Sequence, residues 1–503
     1  MDFSLIALAG TVGAGLLLLL LAWRAVRFMM RLALIGVLVL LCLPGPFFGG
    51  KAAPTGRNPG VRRPPLPVRG ALVIDEYSTN SVKTIDREES YAPRARLWQR
   101  YRRLPRNVVA IGLVSLLNDV SSEIVYPLLP FFLALTLGSS PAAIGLIEGA
   151  AESVASLLKL FSGYASDRLG KRKGLVVFGY TLAAATRPLL ALTTSWPQVL
   201  GLRLTDRVGK GLRSAPRDAM LADSTLAQER GIAFGFHRAM DHAGAVIGPL
   251  IGLLILYVVA ENREAPAASD YRTIFLIAAI PGLAAVLVAA FAVGERTGQI
   301  EGAASVIASP PQLSLRGFDR NFKKYLAVIA LFTLSSSSDA FLLLRAQTAG
   351  VSVAIIPLLW AALHVSRVLS SLIGGDLSDR LGRKALIVSG WLLYAGVYAG
   401  FAFVQTPGQA WVLFLIYGIY SGLAEGAEKA LVVDLVPAPQ QRGSAFGLYN
   451  LAFGITVLPA SLLMGAIWNW RGPRLAFLVN AAIGTTAALL MLFTVKTDRR
   501  ELA

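Results

Sequence analysis

The chain has 503 residues, of which 55% are hydrophobic and 16% are charged, and its mean hydropathy is +0.59. Because soluble proteins contain about 25% charged residues, this composition excludes a soluble globular protein and predicts an integral membrane protein built of helices. The net charge of +18 (48 Lys and Arg minus 30 Asp and Glu) lies in short segments between apolar runs, which is typical of cytoplasmic loops beside anionic lipid and argues against a nucleic-acid partner.

Residues 1–49 contain two hydrophobic segments, 4–23 and 32–49, each of spanning or near-spanning length. The first lacks a basic n-region and a small-residue cleavage site, so it is predicted to be a helix and not a signal peptide. If both segments cross, the basic link between them lies outside, against the positive-inside rule, and their topology stays open. The only cysteine, Cys42, lies here, so no disulfide is expected within the chain.

Residues 50–106 are rich in proline and arginine. From 50 to 107 there are 13 Lys and Arg against 5 acids, and PPLP favours extended polyproline geometry. We interpret this stretch as a largely disordered cytoplasmic linker at the membrane surface.

Twelve apolar segments follow, six on each side of a polar stretch that contains Pro310 and Pro311. They lie at about 107–136, 140–164, 174–193, 197–220, 231–259, 272–294, 322–346, 351–374, 385–404, 410–434, 443–468 and 474–495. The predicted domains are an N-terminal six-helix bundle, a central cytoplasmic loop, a C-terminal six-helix bundle and a cytoplasmic tail, at 107–294, 295–321, 322–497 and 498–503.

The two bundles are sequence repeats. GYASDRLGKRKG at 163–174 matches GDLSDRLGRKAL at 375–386, and ERGIAFGF at 229–236 matches QRGSAFGL at 441–448, both at an offset of 212 residues. Six spans in each repeat give parallel repeats, related by an axis along the membrane normal. The predicted fold is therefore an all-α membrane protein with a twelve-helix core of two parallel six-helix repeats and two extra N-terminal hydrophobic segments.

Basic residues predict the orientation of this core. They lie before the first core segment, in both DRLG loops, in the 295–321 loop and at the chain end, whereas GSSPA and QTPGQA on the other side are uncharged. Both ends of the core are therefore expected in the cytoplasm.

A G-x-x-x-D-R-x-G-(K/R)-(K/R) loop follows the second and the eighth segment. With the two six-span repeats, it resembles the loop signature of the major facilitator superfamily, a likeness that covers about residues 105–497. The resemblance implies a conformational gate, in which Asp167 binds backbone N–H groups near Gly443 and Ser444 and Asp379 does so near Gly231. The gate residues are Gly163, Asp167, Arg168, Gly170, Lys171, Gly375, Asp379, Arg380, Gly382 and Arg383.

In the fifth core segment, GAVIGPLIG at 244–252 looks like the exporter signature of the same superfamily, G-x-x-x-G-P-x-x-G. Gly244, Gly248 and Gly252 form a smooth helix face on which another helix can pack closely, and Pro249 favours a kink. Within the superfamily this motif accompanies antiporters.

The fourth segment is far more charged than in common drug exporters of this superfamily. Its cations recur at steps of three and four, which places them on one helix face. Since such a row cannot face lipid, it is expected to line a watery cavity or to pair with acids. The 212 offset aligns Arg213 with Glu425 and Arg217 with Lys429, so an acidic tenth segment is expected opposite. The cavity candidates are Arg203, Asp206, Arg207, Lys210, Arg213, Arg217, Arg238, Glu425 and Glu428.

Acids inside other apolar segments are candidate proton carriers. Burial favours a protonated carboxyl and a nearby arginine favours the carboxylate, so an acid whose arginine partner moves can bind and release a proton. Asp119 or Glu123 with Arg203 or Arg207 is the preferred combination, and static ion pairing is the alternative. The proton-coupling candidates are Asp119, Glu123, Glu148, Glu152, Asp241 and Asp339.

These features predict a secondary transporter of the bacterial inner membrane that exports a small organic solute in exchange for protons. The cations of the fourth segment favour an anionic or zwitterionic solute, and a neutral or cationic drug is the alternative if acids pair with those cations. Alternatives are a symport-type importer and a transporter-like sensor or scaffold. His237, His242 and Asp241 are the only hint of an enzyme, and no enzymatic activity is expected. No metal or cofactor is expected, and the protein is expected to be a monomer.

Overall fold

The computed structural model describes residues 104–169, 172–225, 230–295, 314–436 and 438–497. These residues are helical and include no strand, which confirms the all-α prediction. The two N-terminal segments, nearly all of the 50–106 linker, most of the 295–321 loop and the tail lie outside the described residues.

Twelve long helices follow one another, and each falls within or closely overlaps one of the predicted apolar segments. They are α1 Arg106–Thr136, α2 Pro141–Leu169, α3 Arg172–Leu190, α4 Trp196–Asp223, α5 Arg230–Val259, α6 Ala268–Phe291, α7 Arg320–Thr348, α8 Ile356–Leu381, α9 Arg383–Phe403, α10 Pro407–Leu435, α11 Pro439–Arg471 and α12 Pro473–Thr494. By length and composition, nine helices of the described chain could cross a membrane. The helices α2, α3 and α4 are not among those nine, and each of them carries ionic residues that lower its hydropathy.

The first helix of each half is interrupted before its end. In α1, the α-helix stops at Val125, and Pro127 and Pro130 follow, neither of which has an N–H to donate. In α7, the helix stops at Ser335 and resumes at Ala340. Serine side chains replace the missing ladder bonds there, since Ser338 Oγ accepts from the N–H of Ala340.

The helices form two halves, α1–α6 and α7–α12, that meet chiefly where α2 packs on α11 and α5 on α8. We call the face where α1 begins and α12 ends the terminal face, and the other the far face. Near the far face the halves touch closely: a Cβ at Gly145 would collide with the carbonyl of Ser461, and one at Gly465 would lie 2.6 Å from the carbonyl oxygen of Pro141.

Two matching ion pairs correct the register of the repeat. Arg172 binds Asp223 in the first half, and Arg383 binds Asp434 in the second. Both partners are displaced by 211 residues (383 minus 172 and 434 minus 223), not by 212. The reason lies in the loops: the one after Gly382 is a residue shorter than its counterpart in the first half, and the one after Asp434 is a residue longer.

The same shift holds along α4 and α10. A Cβ at Gly179 would meet Arg213, and a Cβ at Gly390 would meet Ala424, again at an offset of 211. Arg213 therefore corresponds to Ala424, and the predicted alignment with Glu425 is wrong by one residue.

Candidate functional site

A cavity of about 420 Å³ lies between the two halves. It is lined by side chains of α1, α2, α3, α4 and α5 from the first half and of α8 and α10 from the second. Nine Lys and Arg side chains and five Asp and Glu side chains line it, an excess of four cations. The lining cations are Lys159, Arg187, Arg203, Arg207, Lys210, Arg213, Arg217, Arg238 and Arg367, and the lining acids are Asp119, Glu123, Asp206, Asp241 and Glu425.

The far end of this cavity is closed by contacts between the halves. Trp360 Nε1 of α8 donates to Glu123 Oε2 of α1 at 2.8 Å, and the Trp360 ring lies 5.3 Å from that of Tyr126.

Arg203 is held in a buried ion pair that uses both arms of its guanidinium. Its Nε and Nη2 donate to the two oxygens of Glu148 at 3.1 and 2.8 Å, and the two residues are 8% and 6% exposed. This two-pronged geometry is the strongest form of the arginine–carboxylate contact. Arg203 therefore binds Glu148 of α2, and not Asp119 or Glu123 as preferred from the sequence.

Arg213 and Arg217 of α4 also make close contacts with other groups of the protein. Arg213 donates to the carbonyl oxygen of Gly179 at 3.2 Å and its guanidinium lies 4.4 Å from the centre of the Tyr180 ring. Arg217 donates to Asp218 Oδ1 at 2.8 and 3.0 Å and to Ser115 Oγ at 3.5 Å.

Three further cations make much looser contacts. Arg207 Nε lies 3.9 Å from both Glu152 and Asp206, and Arg367 Nη2 lies 3.9 Å from Asp339, distances too long for hydrogen bonds. Within the described residues, the side chain of Lys210 has no ion pair or hydrogen bond.

Three of the predicted acids lie behind the lining and contact its cations. Glu148 binds Arg203, Glu152 lies near Arg207, and Asp339 lies near Arg367 while accepting from the Tyr417 hydroxyl at 2.7 Å.

Asp119, Glu123 and Asp241 line the cavity itself. Asp119 Oδ1 accepts from Asn118 Nδ2 at 3.0 Å. Asp241 accepts from the Ser115 hydroxyl and lies 3.6 Å from His237 Nδ1. These acids are therefore the predicted proton-coupling residues with direct access to the cavity.

Glu428 lies away from the cavity, in the core of the second half. Its carboxylate accepts from Trp391 Nε1 at 2.8 Å and from the Tyr449 hydroxyl at 3.0 Å. Glu425 lines the cavity and pairs with Lys429 at 2.8 Å. The acidic face of α10 thus consists of Glu425 alone.

The glycines of 244–252 pack α5 against α1. A Cβ at Gly244 would lie 2.7 Å from Asp119 Cβ, and one at Gly248 would lie 2.7 Å from the carbonyl oxygen of Val120 and 2.8 Å from Glu123 Cβ. The motif therefore abuts the helix face that carries the two cavity acids.

The gate loops are only partly described. Gly170, Lys171 and the side chains of Asp167, Arg168 and Asp379 lie outside the described residues, and the surroundings of Gly375 are likewise undescribed. Gly382 has φ +86°, a conformation that favours glycine, between α8 and α9. Arg383 and its counterpart Arg172 join neighbouring helices within one half.

The sequence analysis did not identify Arg187, His364 and Arg367 as residues of the cavity. Arg187 is 4% exposed, and its Nη2 donates to Asn118 Oδ1 at 2.9 Å. His364 and Arg367 are the contribution of α8. The available signal was an ionisable residue within an apolar segment, as in ATRP at 185–188 and LHVSR at 363–367.

Comparisons with known proteins identify similar transporters. The family model described as Major Facilitator Superfamily matches residues 111–438 and 325–503. An uncharacterised MFS-type transporter of Methanocaldococcus jannaschii is 34% identical over 398 residues, which cover 78% of this chain and 96% of that protein. The multidrug resistance protein MdtH of Aeromonas hydrophila is 25% identical over 404 residues, covering 78% and 96%.

Solved structures share the fold at low identity. The nucleoside transporter NupG is 14% identical with a TM-score of 0.65, and the match covers 77% of this chain and all of that one (100%). A bacterial homologue of the human lysosomal transporter Spinster, in an inward-facing and occupied conformation, is 15% identical with a TM-score of 0.63, covering 80% and 97%.

Proposed function

Because the chain belongs to the major facilitator superfamily and is a multi-pass membrane transporter, we propose that it exports a small organic solute in exchange for protons by alternating access. The observation that carries the proposal is the polar cavity between the halves, which is closed at the far face by the contact of Trp360 with Glu123. In this proposal the terminal face is cytoplasmic, as the basic loops indicate.

Proton exchange is supported by the acids of α1. Asp119 and Glu123 line the cavity at successive turns of one helix, so a proton and a solute would meet in the same space. Export is supported by the 244–252 motif, which packs on this helix face, and by the similarity to MdtH.

The test uses everted membrane vesicles that are acidified inside and report their pH gradient by acridine orange fluorescence. A solute that is exported in cells should release protons from these vesicles, and a panel of organic anions and cations identifies it. We expect Asp119→Asn to reduce this release to the level of vesicles without the protein. Glu261→Gln, an exposed acid outside the cavity, should leave it unchanged. A solute bound by the purified protein that releases no protons would contradict antiport.

Alternating access predicts that Trp360→Phe promotes opening of the far face. The change keeps the ring but removes the N–H that binds Glu123 across the halves, a bond that contributes about 1 kcal/mol, or roughly a fivefold shift in the equilibrium. The measurement is the rate at which a membrane-impermeant maleimide labels Ser461→Cys, a buried far-face position, in a Cys42→Ser background.

Trp391→Phe is the matched control for this experiment. It removes the same type of bond, from an indole to Glu428, but within one half. Labelling that rises equally in both variants would indicate general loosening of the fold and would contradict the gating role of Trp360.

A further inference from the structure

The cavity contains two kinds of cation. Arg203, Arg213 and Arg217 use their guanidinium groups on carboxylates, carbonyls or aromatic rings of the protein. Arg207 and Arg367 approach carboxylates only at 3.9 Å, and the Lys210 ammonium group has no ion pair or hydrogen bond among the described residues. The Nε groups of Arg207 and Arg367 are buried and make no hydrogen bond. The second kind is therefore available to a ligand.

Unpaired donors of this kind are costly in a protein interior. A buried N–H without a partner loses its hydration and gains nothing in return. His364 Nε2, in a residue that is 7% exposed, is a further buried polar atom without a partner, one turn from Arg367 on α8. An anion in the cavity would supply partners to these groups.

The lining also limits the rest of the ligand. Only four aliphatic side chains, Val125, Leu190, Leu202 and Ala245, are part of it. Because an acyl chain needs a continuous apolar surface, the lining favours a water-soluble anion over a lipid with an anionic headgroup.

We propose that the transported solute is an organic anion bearing a carboxylate or phosphate group, and that Arg207 and Lys210 of α4 and Arg367 of α8 bind this group from opposite halves. This inference rests on the proposed transport function and adds the substrate class. Guanidinium and ammonium groups recognise both anionic groups by charge-assisted hydrogen bonds. Because its ligands come from both halves, the bound anion also draws α4 toward α8.

The test measures thermal unfolding of the purified full-length protein in detergent, at matched ionic strength. The probes are inorganic phosphate and citrate, with spermidine as a cation and lysophosphatidylglycerol as an anionic lipid. We expect phosphate or citrate to raise the unfolding temperature in a saturable manner. Lys210→Gln and Arg367→Gln should each weaken the apparent affinity by at least about tenfold, whereas Lys210→Arg should largely retain it. Arg316→Gln, an exposed position outside the cavity, should have no effect.

Three results would overturn the inference: stabilisation by spermidine or lysophosphatidylglycerol alone, no stabilisation by either anion, or anion affinities unchanged in Lys210→Gln and Arg367→Gln. Since binding is measured without a proton gradient, these results leave the vesicle assay untouched. Failure of proton release with intact anion binding would instead contradict proton exchange alone.

Discussion

Glu148→Gln is expected to lower the free energy of unfolding by about 3–5 kcal/mol, because it removes the carboxylate that accepts both hydrogen bonds from the buried guanidinium of Arg203 and leaves only Asp206, at 3.8 Å, as a charge partner. Both side chains are almost fully buried between α2 and α4, and two hydrogen bonds join them. Removing one member of such a pair costs more than the pair itself contributes, since the other charge stays in a poorly solvated site. Thermal or denaturant unfolding in detergent measures the loss.

A double-mutant cycle separates this effect from a simple loss of packing. The Glu148→Gln, Arg203→Gln double variant should be more stable than Glu148→Gln alone, since no unpaired charge remains. Glu425→Gln is the matched control, because Glu425 pairs with Lys429 at the same 2.8 Å but in an exposed setting. It should cost less than about 1 kcal/mol. Equal losses at the two sites would contradict the role assigned to burial.

Gly248→Ala is expected to displace α1 from α5 and to abolish solute-driven proton release. The added methyl group would lie 2.7 Å from the Val120 carbonyl oxygen and 2.8 Å from Glu123 Cβ. Since the nearest atom belongs to the backbone, the helices must separate, at a cost of about 1–3 kcal/mol. The displaced helix carries Asp119 and Glu123, so proton release should fall more than stability does. The vesicle assay and thermal unfolding measure the two effects.

Other glycines of α5 provide a graded control. Gly252→Ala, whose nearest contact would be at 3.2 Å, should have a smaller effect. Gly235→Ala meets no atom within 4 Å among the described residues and should be neutral or slightly stabilising, because alanine favours the helix by about 1 kcal/mol. If Gly235→Ala impaired transport as much as Gly248→Ala, close packing on α1 would not be the cause.

The helices could be predicted because an apolar run that is long enough to cross the bilayer indicates a membrane-spanning helix. The register of α10 against α4 could not be predicted. The two matching sequence blocks before and after α10 both have an offset of 212, because the one-residue deletion after Gly382 is compensated by the one-residue insertion after Asp434. The matching ion pairs of Arg172 and Arg383 and the paired contacts of Gly179 and Gly390 located the shift. Glu425 and Glu428 lie three residues apart on one side of α10, yet Glu425 lines the cavity and Glu428 contacts the core of the second half. Spacing along one helix does not show what packs against each side chain.

The charged residues of the site could be recognised in the sequence, but their partners could not. Arg203 is bound to Glu148, an acid 55 residues earlier in α2. The sequence does not distinguish Glu148 from Asp119, or from the other acids of the apolar segments, as the partner of Arg203. Periodicity places residues on a helix face without indicating which helix lies opposite. Arg367 was overlooked for the same reason, because its importance depends on α8 lying across the cavity from α4.

The interruptions in α1 and α7 divide each helix into a long piece and a short outer piece. A helix whose hydrogen-bond ladder is broken bends at that point with little resistance. The long piece of α1 carries Asp119 and Glu123, and the short pieces, 129–136 and 340–348, contact each other at the far face. In the proposed transport cycle, bending at these interruptions would open and close the far face while the long pieces stay in place. A state that holds solute with both ends closed would then move the solute without a leak of protons.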